Sequence, residues 1–174
     1  MITAVNDASQ VAEARRLVSA YARRAGVAQG RIGDVALVVT ELATNLLKHG
    51  GSGQILADHR SDGDGVGLEL LALDRGSGMI DIGRCMEDGY STAGSPGTGL
   101  GAVARLTDDL RIWSRPGLGS AIMVRFLQTP GHDLHGTQLG AAVAPYPGEQ
   151  VCGDHWAFRE TAVGRTVVTL ARWK

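Results

Sequence analysis

Apolar residues in the first third of the chain recur at the three-and-four spacing that gathers them on one side of a helix. Ile32, Val35, Val38, Val39, Leu42, Leu46 and Leu47 form one such stripe, and the spacing predicts a helix from near Arg31 that stops at Gly50-Gly51 with Lys48 and His49 in its last turn. An earlier run over residues 11–24 sets Val11, Ala14, Leu17, Val18 and Tyr21 on one face, behind Asp7-Ala8-Ser9, a capping sequence. Residues 1–6 read as a short edge strand, and Gly26 and Gly30 bracket the connector between the two helices. The pattern then changes. Residues 54–60 and 66–73 read as strands around Ser61-Asp62-Gly63-Asp64-Gly65, which has the composition of a hairpin turn. Residues 74–97 hold few core positions and many small ones, a long loop of the kind that serves function or moves. A short helix follows at 102–106, then strands at 109–114 and 120–127 joined by Arg115-Pro116-Gly117-Leu118-Gly119. Helix, helix, strand, strand, loop, helix, strand, strand predicts a two-layer α/β sandwich, a mixed or antiparallel sheet with helices on one face.

Past residue 127 the pattern weakens. Residues 128–137 carry Pro130, Gly131, His132, His135 and Gly136 and read as a linker, with the two histidines solvated rather than metal-bound for want of a third partner. The tail at 138–174 has strand-like pieces at 139–144, 155–161 and 166–171 and is too short to bury a core alone. The expected organisation is a domain at 1–127, a linker at 128–137 and a partial segment at 138–174.

Composition narrows the function classes. With 174 residues, 44% apolar and 20% charged, the chain is globular rather than disordered. A net charge of -1 gives no basic footprint, so nucleic acid is disfavoured as a partner. No apolar run reaches the length of a membrane span and the N-terminus lacks the form of a signal peptide, so a cytoplasmic protein without membrane association is expected. Cys85 and Cys152 are far apart in sequence and read as reduced thiols. The 25 glycines cluster between Gly63 and Gly119, where three polar groupings carry chemistry.

In the first, Glu41, Asn45 and His49 are four apart and share a helix face distinct from the apolar stripe. Such a face is ordinary on a surface helix. It also suits phosphate chemistry, because Asn offers Mg2+ a neutral oxygen and Glu remains able to take a proton. In the second, Asp74-Arg75-Gly76-Ser77-Gly78 follows a strand, where an Asp can accept a hydrogen bond from an exocyclic amine such as that of adenine and glycines let backbone approach a flat base. An Asp-Gly turn is the plain alternative. In the third, Gly97-Thr98-Gly99-Leu100-Gly101 opens a helix, a composition that frees backbone N–H groups for phosphate oxygens. It lacks the Gly-Lys-Ser/Thr of a Walker loop.

Taken in order, E-x-x-x-N, D-x-G-x-G and G-x-G-x-G resemble the N box and two glycine boxes of the GHKL ATPase superfamily. Asp88-Gly89-Tyr90-Ser91-Thr92, Arg105-Leu106-Thr107-Asp108 and Gly119-Ser120 make residues 1–127 similar to the RsbT-like anti-sigma-factor serine kinases. The resemblance implies a Bergerat fold and an ATP site: Asp74, Gly76 and Gly78 on the adenine, Asn45 on Mg2+, and Gly97, Thr98, Gly99, Leu100 and Gly101 around phosphate. Residues 79–97 would be the lid. It implies Glu41 as the base for a substrate serine and Ser120 on the adenine side through water, although Ser120 also reads as a plain hairpin residue. Lys48 falls where related histidine kinases place a phosphate-contacting lysine and reads equally as a helix C-terminal charge. Arg75 and Arg84 are candidates for an arginine finger that spacing does not separate.

The implied activity is ATP- and Mg2+-dependent phosphorylation of a STAS-domain regulator, of the anti-anti-sigma or stressosome type, in a partner-switching pathway. A sigma factor and a downstream phosphatase are further implied partners, and a homodimer is implied by resemblance only. The alternative is an ATP-dependent binding module that sequesters a sigma factor or regulatory partner without efficient transfer. Arg15, Arg16, Arg23 and Arg24 on the first helix are either a face for an acidic partner or ordinary solvation. Residues 140–154, ending in Gly153-Asp154, resemble the opening of an RsbX/SpoIIE-type PP2C phosphatase domain, which would make Asp154 a metal ligand. A single carboxylate cannot hold a two-metal site, so no phosphatase activity is expected of this chain.

Overall fold

Capping and periodicity set the first elements. In the computed structural model, which describes residues 1–62, 65–86, 99–127, 155–161 and 164–170, the edge strand β1 (Ile2–Val5) leads into α1 (Ala8–Arg24). Asp7 caps that helix, its carboxylate accepting from the Ser9 hydroxyl at 2.5 Å and from the Ser9 and Gln10 amides at 2.8 and 3.3 Å. These bonds, the Ser9 hydroxyl first, hold the Asp7 carboxyl below its ordinary range. α1 buries the row Ala14, Val18 and Ala22, with Ser19 beside it, and these small side chains let it pack closely on α2 (Ile32–Gly50). Leu17, expected on the buried face, is 42% exposed. It sits about 100° round the helix from Val18, off the side that α2 covers.

α2 buries the predicted stripe from Ile32 to Leu46, with Leu47 half-buried. It ends at Gly51, whose φ of 71° is the left-handed conformation that closes a helix at little cost for glycine. The chain then enters the hairpin of β2 (Gly53–Asp62) and β3 (Gly65–Asp74). After β3 come a short α3 (Ile82–Cys85), α4 (Gly99–Leu106), β4 (Asp109–Arg115) and β5 (Gly119–Leu127). α3 lies in the stretch read as loop. Its four residues are too few for a periodic signal, and Asp81 starts it by accepting from the Arg84 amide.

Sheet order is β1-β2-β3-β5-β4 and every pairing is antiparallel. β5 returns between β3 and β4, which leaves β4 at the edge. One sheet face carries Val5, Ile55, Ala57, Leu68, Leu70, Ala72, Ile122, Val124 and Phe126, all buried against the helices. The expected two-layer sandwich is therefore the fold, with the sheet antiparallel throughout the described residues. The register also lines up Asp74 with Ser120 and Ser120 with Ser114, one row across three strands on the helix side.

One guanidinium ties the beginning of α2 to the end of α4. Arg31 donates to Asp108 through Nη1 at 3.2 Å and to the Leu106 carbonyl through Nη2 at 2.9 Å, and it lies 5.3 Å above the Phe126 ring. Its Nε is 3.2 Å from Asp34 without aiming its N–H there. Asp108 in turn accepts from the Leu127 amide at 2.7 Å.

The chain divides into two compact units, Met1–His132 and Asp133–Lys174. In the second, β6 (His155–Thr161) pairs antiparallel with β7 (Gly164–Leu170). The strand-like piece at 139–144, the histidines at 132 and 135, Cys152 and Asp154 lie outside the described residues. No described helix is long and apolar enough to cross a membrane.

Arg31→Ala is expected to cost about 2 kcal/mol of folding stability in urea denaturation, through lost charged hydrogen bonds and ring contact. Arg31→Lys should fall between, since lysine keeps the charge and lacks the planar fork. A loss under about 0.5 kcal/mol in both would show the network to be an ordinary screened surface cluster.

Candidate functional site

α2 carries site residues at two levels. Glu41 and Asn45 stack on its half-buried face and meet the start of α4. A methyl group placed on Gly99 would lie 3.2 Å from Glu41 Oε2, 3.8 Å from Asn45 Oδ1 and 3.9 Å from Asn45 Nδ2. The carboxylate, the carboxamide and the first turn of α4 thus share one small space. An α-helix begins there, and the first turn of a helix has backbone N–H groups without partners inside the helix and carries partial positive charge. Leu100 and Gly101 are buried, Leu100 with its side chain in the core, so what that turn offers a ligand is backbone. Gly97 and Thr98 lie outside the described residues, as does most of the expected lid.

The second level is at the C-terminal end of α2. Asp74 closes β3, and its Oδ1 accepts from the Gly76 amide at 2.7 Å. Backbone crowds it from two sides. A methyl on Gly50 would stand 2.6 Å from Asp74 Cβ, one on Gly76 would meet the His49 carbonyl oxygen at 2.1 Å, and one on Gly119 would meet the Asp74 carbonyl oxygen at 2.1 Å. Gly78, at φ 68°, presses in the same way on the Arg115 carbonyl. Gly76 and Gly78 were expected to let backbone approach a flat base. In the structure the side-chain positions of Gly76 and Gly78 are filled by protein backbone, so these two glycines let α2, the β3–α3 turn and the β4–β5 hairpin close on one another around Asp74. The Gly117 amide completes the closure with a 2.8 Å bond to the Ser77 carbonyl.

Ser120 is 6% exposed in the row beside Asp74, its Oγ 2.9 Å from that of Ser114. Ser114 also accepts from the Met79 amide at 2.8 Å and donates to the Gly119 carbonyl at 3.1 Å. Neither Ser114 nor Met79 stood out in the sequence. The signal for Ser114 was its position: Leu110, Ile112 and Ser114 alternate on β4, so a hydroxyl occupies an inward site. Lys48 and His49 are both exposed on the last turn of α2.

The two levels are joined by one helix. Asn45 and Gly50 are separated by roughly 7.5 Å of axial rise, so the start of α4 beside Asn45 and the Asp74 side chain beside Gly50 are set apart along the helix axis. Burial, aided by Asp81, pushes the Cys85 thiol above its ordinary range, which disfavours the thiolate a nucleophile would need. Among the described residues no three His, Cys, Asp or Glu side chains are grouped to hold a metal by themselves.

Gly76→Ala and Gly119→Ala are each expected to lower stability by more than about 2 kcal/mol, because backbone must move to admit the methyl. Gly99→Ala should change it by less than about 1 kcal/mol, since helix propensity improves and only the end of Glu41 must give way. Thermal unfolding of the three variants checks this; equal losses would contradict the assignment of these contacts.

Residues 4–126 match the model of the histidine kinase-like ATPase domain. The chain is similar to the serine/threonine-protein kinase RsbT of Bacillus subtilis (strain 168), 36% identical over 112 residues, which are 64% of this chain and 84% of that one. It is also similar to an anti-sigma F factor of Thermoanaerobacter sp. (strain X514), 27% identical over 124 residues, 69% of this chain and 85% of that one. Among solved structures, a mycobacterial sensor histidine kinase, MprB, is similar at 21% identity and a TM-score of 0.45, over 57% of this chain and 73% of that one. A match over most of the chain, joined to the RsbT relative, makes this protein a member of the histidine kinase-like ATPase family, the GHKL fold that its three polar groupings resemble.

Proposed function

We propose that this chain is an ATP-dependent serine/threonine protein kinase that phosphorylates a STAS-domain regulator in a bacterial partner-switching pathway. The observation that carries the reading is the shared space of Glu41, Asn45 and Gly99, a carboxylate and a carboxamide against the start of a helix. The similarity to a relative named as a serine/threonine-protein kinase supports it. Asp74, held through Oδ1 by Gly76, presents a carboxylate acceptor to the amino group of adenine. The first turn of α4 offers N–H groups to phosphate oxygens.

The donor set fits Mg2+, which is bound through one or two protein oxygens and the phosphates of its nucleotide rather than by a cage of side chains. Asn45 Oδ1 would hold it, and when bound it neutralises phosphate charge. Glu41 takes the proton of the substrate hydroxyl as that oxygen forms its bond to the γ-phosphorus, and the bond from phosphorus to the β-γ bridging oxygen breaks to release ADP. Asn45, being uncharged, adds no repulsion where Glu41 and the phosphates are already close.

A second reading, sequestration of a sigma factor by the ATP-bound protein without efficient transfer, is supported by the similarity to anti-sigma F factors. Glu41 separates the two, because sequestration alone needs no base.

Glu41→Gln is expected to lower phosphate transfer from labelled ATP to the STAS-domain proteins of the source organism by roughly 10²- to 10⁴-fold, while ATP affinity stays within about threefold. Unchanged transfer would remove Glu41 as base, and no transfer even by the wild type would favour sequestration. Asp74→Asn replaces an acceptor by a group that also donates and should weaken ATP roughly 10- to 100-fold. Asn45→Ala should strip binding of its Mg2+ dependence.

A further inference from the structure

The line of α2 that carries Asn45 and Glu41 continues in four-residue steps to Leu37 and Gly33, toward the start of the helix. Asn45 and Glu41 are half-buried beside the start of α4, whereas Leu37 is 58% exposed and Gly33 is exposed as well. One turn of helix, a rise of roughly 6 Å, therefore separates a carboxylate from an uncovered leucine. Gly33 has no reason within its own chain. A methyl group placed on it meets no atom of the described residues within 4 Å, and its φ is not positive. Glycine weakens a helix relative to alanine, so neither packing nor backbone conformation here favours it. Asp34 is the one charged residue from Ile32 to Thr40, and it lies 3.2 Å from Arg31 Nε. The line next to Glu41 is thus uncharged, apolar at Leu37 and bare backbone at Gly33.

We infer that Leu37 and Gly33 form the docking face for the acceptor protein: Leu37 receives an apolar side chain roughly 6 Å from the acceptor serine, and Gly33 lets that segment's backbone come close. The inference rests on the reading of Glu41 as the base of a serine kinase. On that reading the order along α2 sets the direction of approach. Gly50 lies beside Asp74, Glu41 and Asn45 lie beside Gly99, and Leu37 follows one turn beyond, on the side away from Asp74. In an in-line transfer the attacking oxygen and the leaving oxygen stand on opposite sides of the phosphorus. ADP leaves on the Asp74 side, so the serine oxygen arrives from the Leu37 side. Charge agrees with this. An uncharged face beside a carboxylate suits an apolar segment and disfavours an acidic one. Spacing then describes the substrate: the apolar residue is two positions from the serine in an extended segment, or three to four in a helix.

The test measures transfer from labelled ATP to the STAS-domain proteins of the source organism, with the phosphorylated serine located by mass spectrometry. Glutamine forms helix about as well as leucine and adds no charge near Glu41, so Leu37→Gln removes the apolar contact and little else. KM for the acceptor protein should rise roughly five- to twentyfold, the scale of burying half a leucine. A KM effect at unchanged kcat marks a docking contact, and KM for ATP and the melting temperature should stay where they are. Gly33→Ala should raise the acceptor KM by at least about threefold while the chain melts at the same or a higher temperature, a pairing that a structural glycine does not give. On the acceptor, glutamine in place of the apolar residue at the contacting position should reproduce the rise. That change should cost little more once Leu37→Gln is present.

An unchanged acceptor KM in Leu37→Gln overturns the inference, and so does full additivity with every acceptor substitution. An equal rise in KM for ATP, or a lower melting temperature, makes Leu37 a structural residue and overturns it too. A change in the sedimentation of the chain alone assigns the face to a second copy, and the inference fails. Transfer that survives Glu41→Gln, or a wild type that phosphorylates no acceptor, refutes the kinase reading and the inference with it. Transfer that needs Glu41 but ignores Leu37 refutes the inference only.

Discussion

Backbone meets backbone at the end of α2, and both levels of the site take their positions from that contact. The His49 carbonyl, the Gly50 Cα and the Gly76 Cα occupy a space with no room for a side chain, and the Asp74 carbonyl is pressed in the same way by Gly119. Contacts of this kind exist only where residues lack Cβ atoms, which is a sharper requirement than a preference for turns. They fix how far α2 slides along the sheet. Because Glu41 and Asn45 ride on the same rigid helix, the closure around Asp74 also sets where the carboxylate and carboxamide stand.

The other end of α2 meets a different device. Arg31 reaches Asp108, the Leu106 carbonyl and the face of Phe126 from the residue just before the helix. α4 is thereby held at its C-terminal end by charge and at its N-terminal end by the close approach of Gly99 to Glu41. A helix of eight residues has little stability of its own. Tertiary contacts must supply it, and here they also aim the first turn at the site. The stability of the domain and the placement of the first turn of α4 are in this respect one problem.

The elements legible in the sequence were those whose signal is local. α2 showed itself through an unbroken stripe and glycines at its end, and the Glu41 to Asn45 spacing followed from the helix period. The strands were legible from alternation, but their order was not. β3 and β5 are separated by two helices and an edge strand, and nothing local says that β5 returns between β3 and β4. Ser114 was hidden for the same reason, since an inward hydroxyl becomes meaningful only when its strand is known to lie beside Ser120. The burial of Leu17 was misjudged because the sequence gives a face a width but not the position of the neighbour that covers it. Gly76 and Gly78 were legible as a motif, while the closure of protein on protein that they also permit was not.

Electrostatics gives a reason for the pairing of a carboxylate with a carboxamide. The start of a helix carries about half a positive charge, and in this domain Glu41 and a triphosphate would both draw on the first turn of α4. That half charge cannot satisfy both. A second carboxylate at position 45 would bring a third anion into the space around Gly99, whereas asparagine supplies the same oxygen without the charge. The arrangement tolerates one carboxylate because that carboxylate has a proton to receive. A binding surface with no proton to move would gain from a neutral residue at position 41 as well, and so a glutamate among these neighbours argues for transfer.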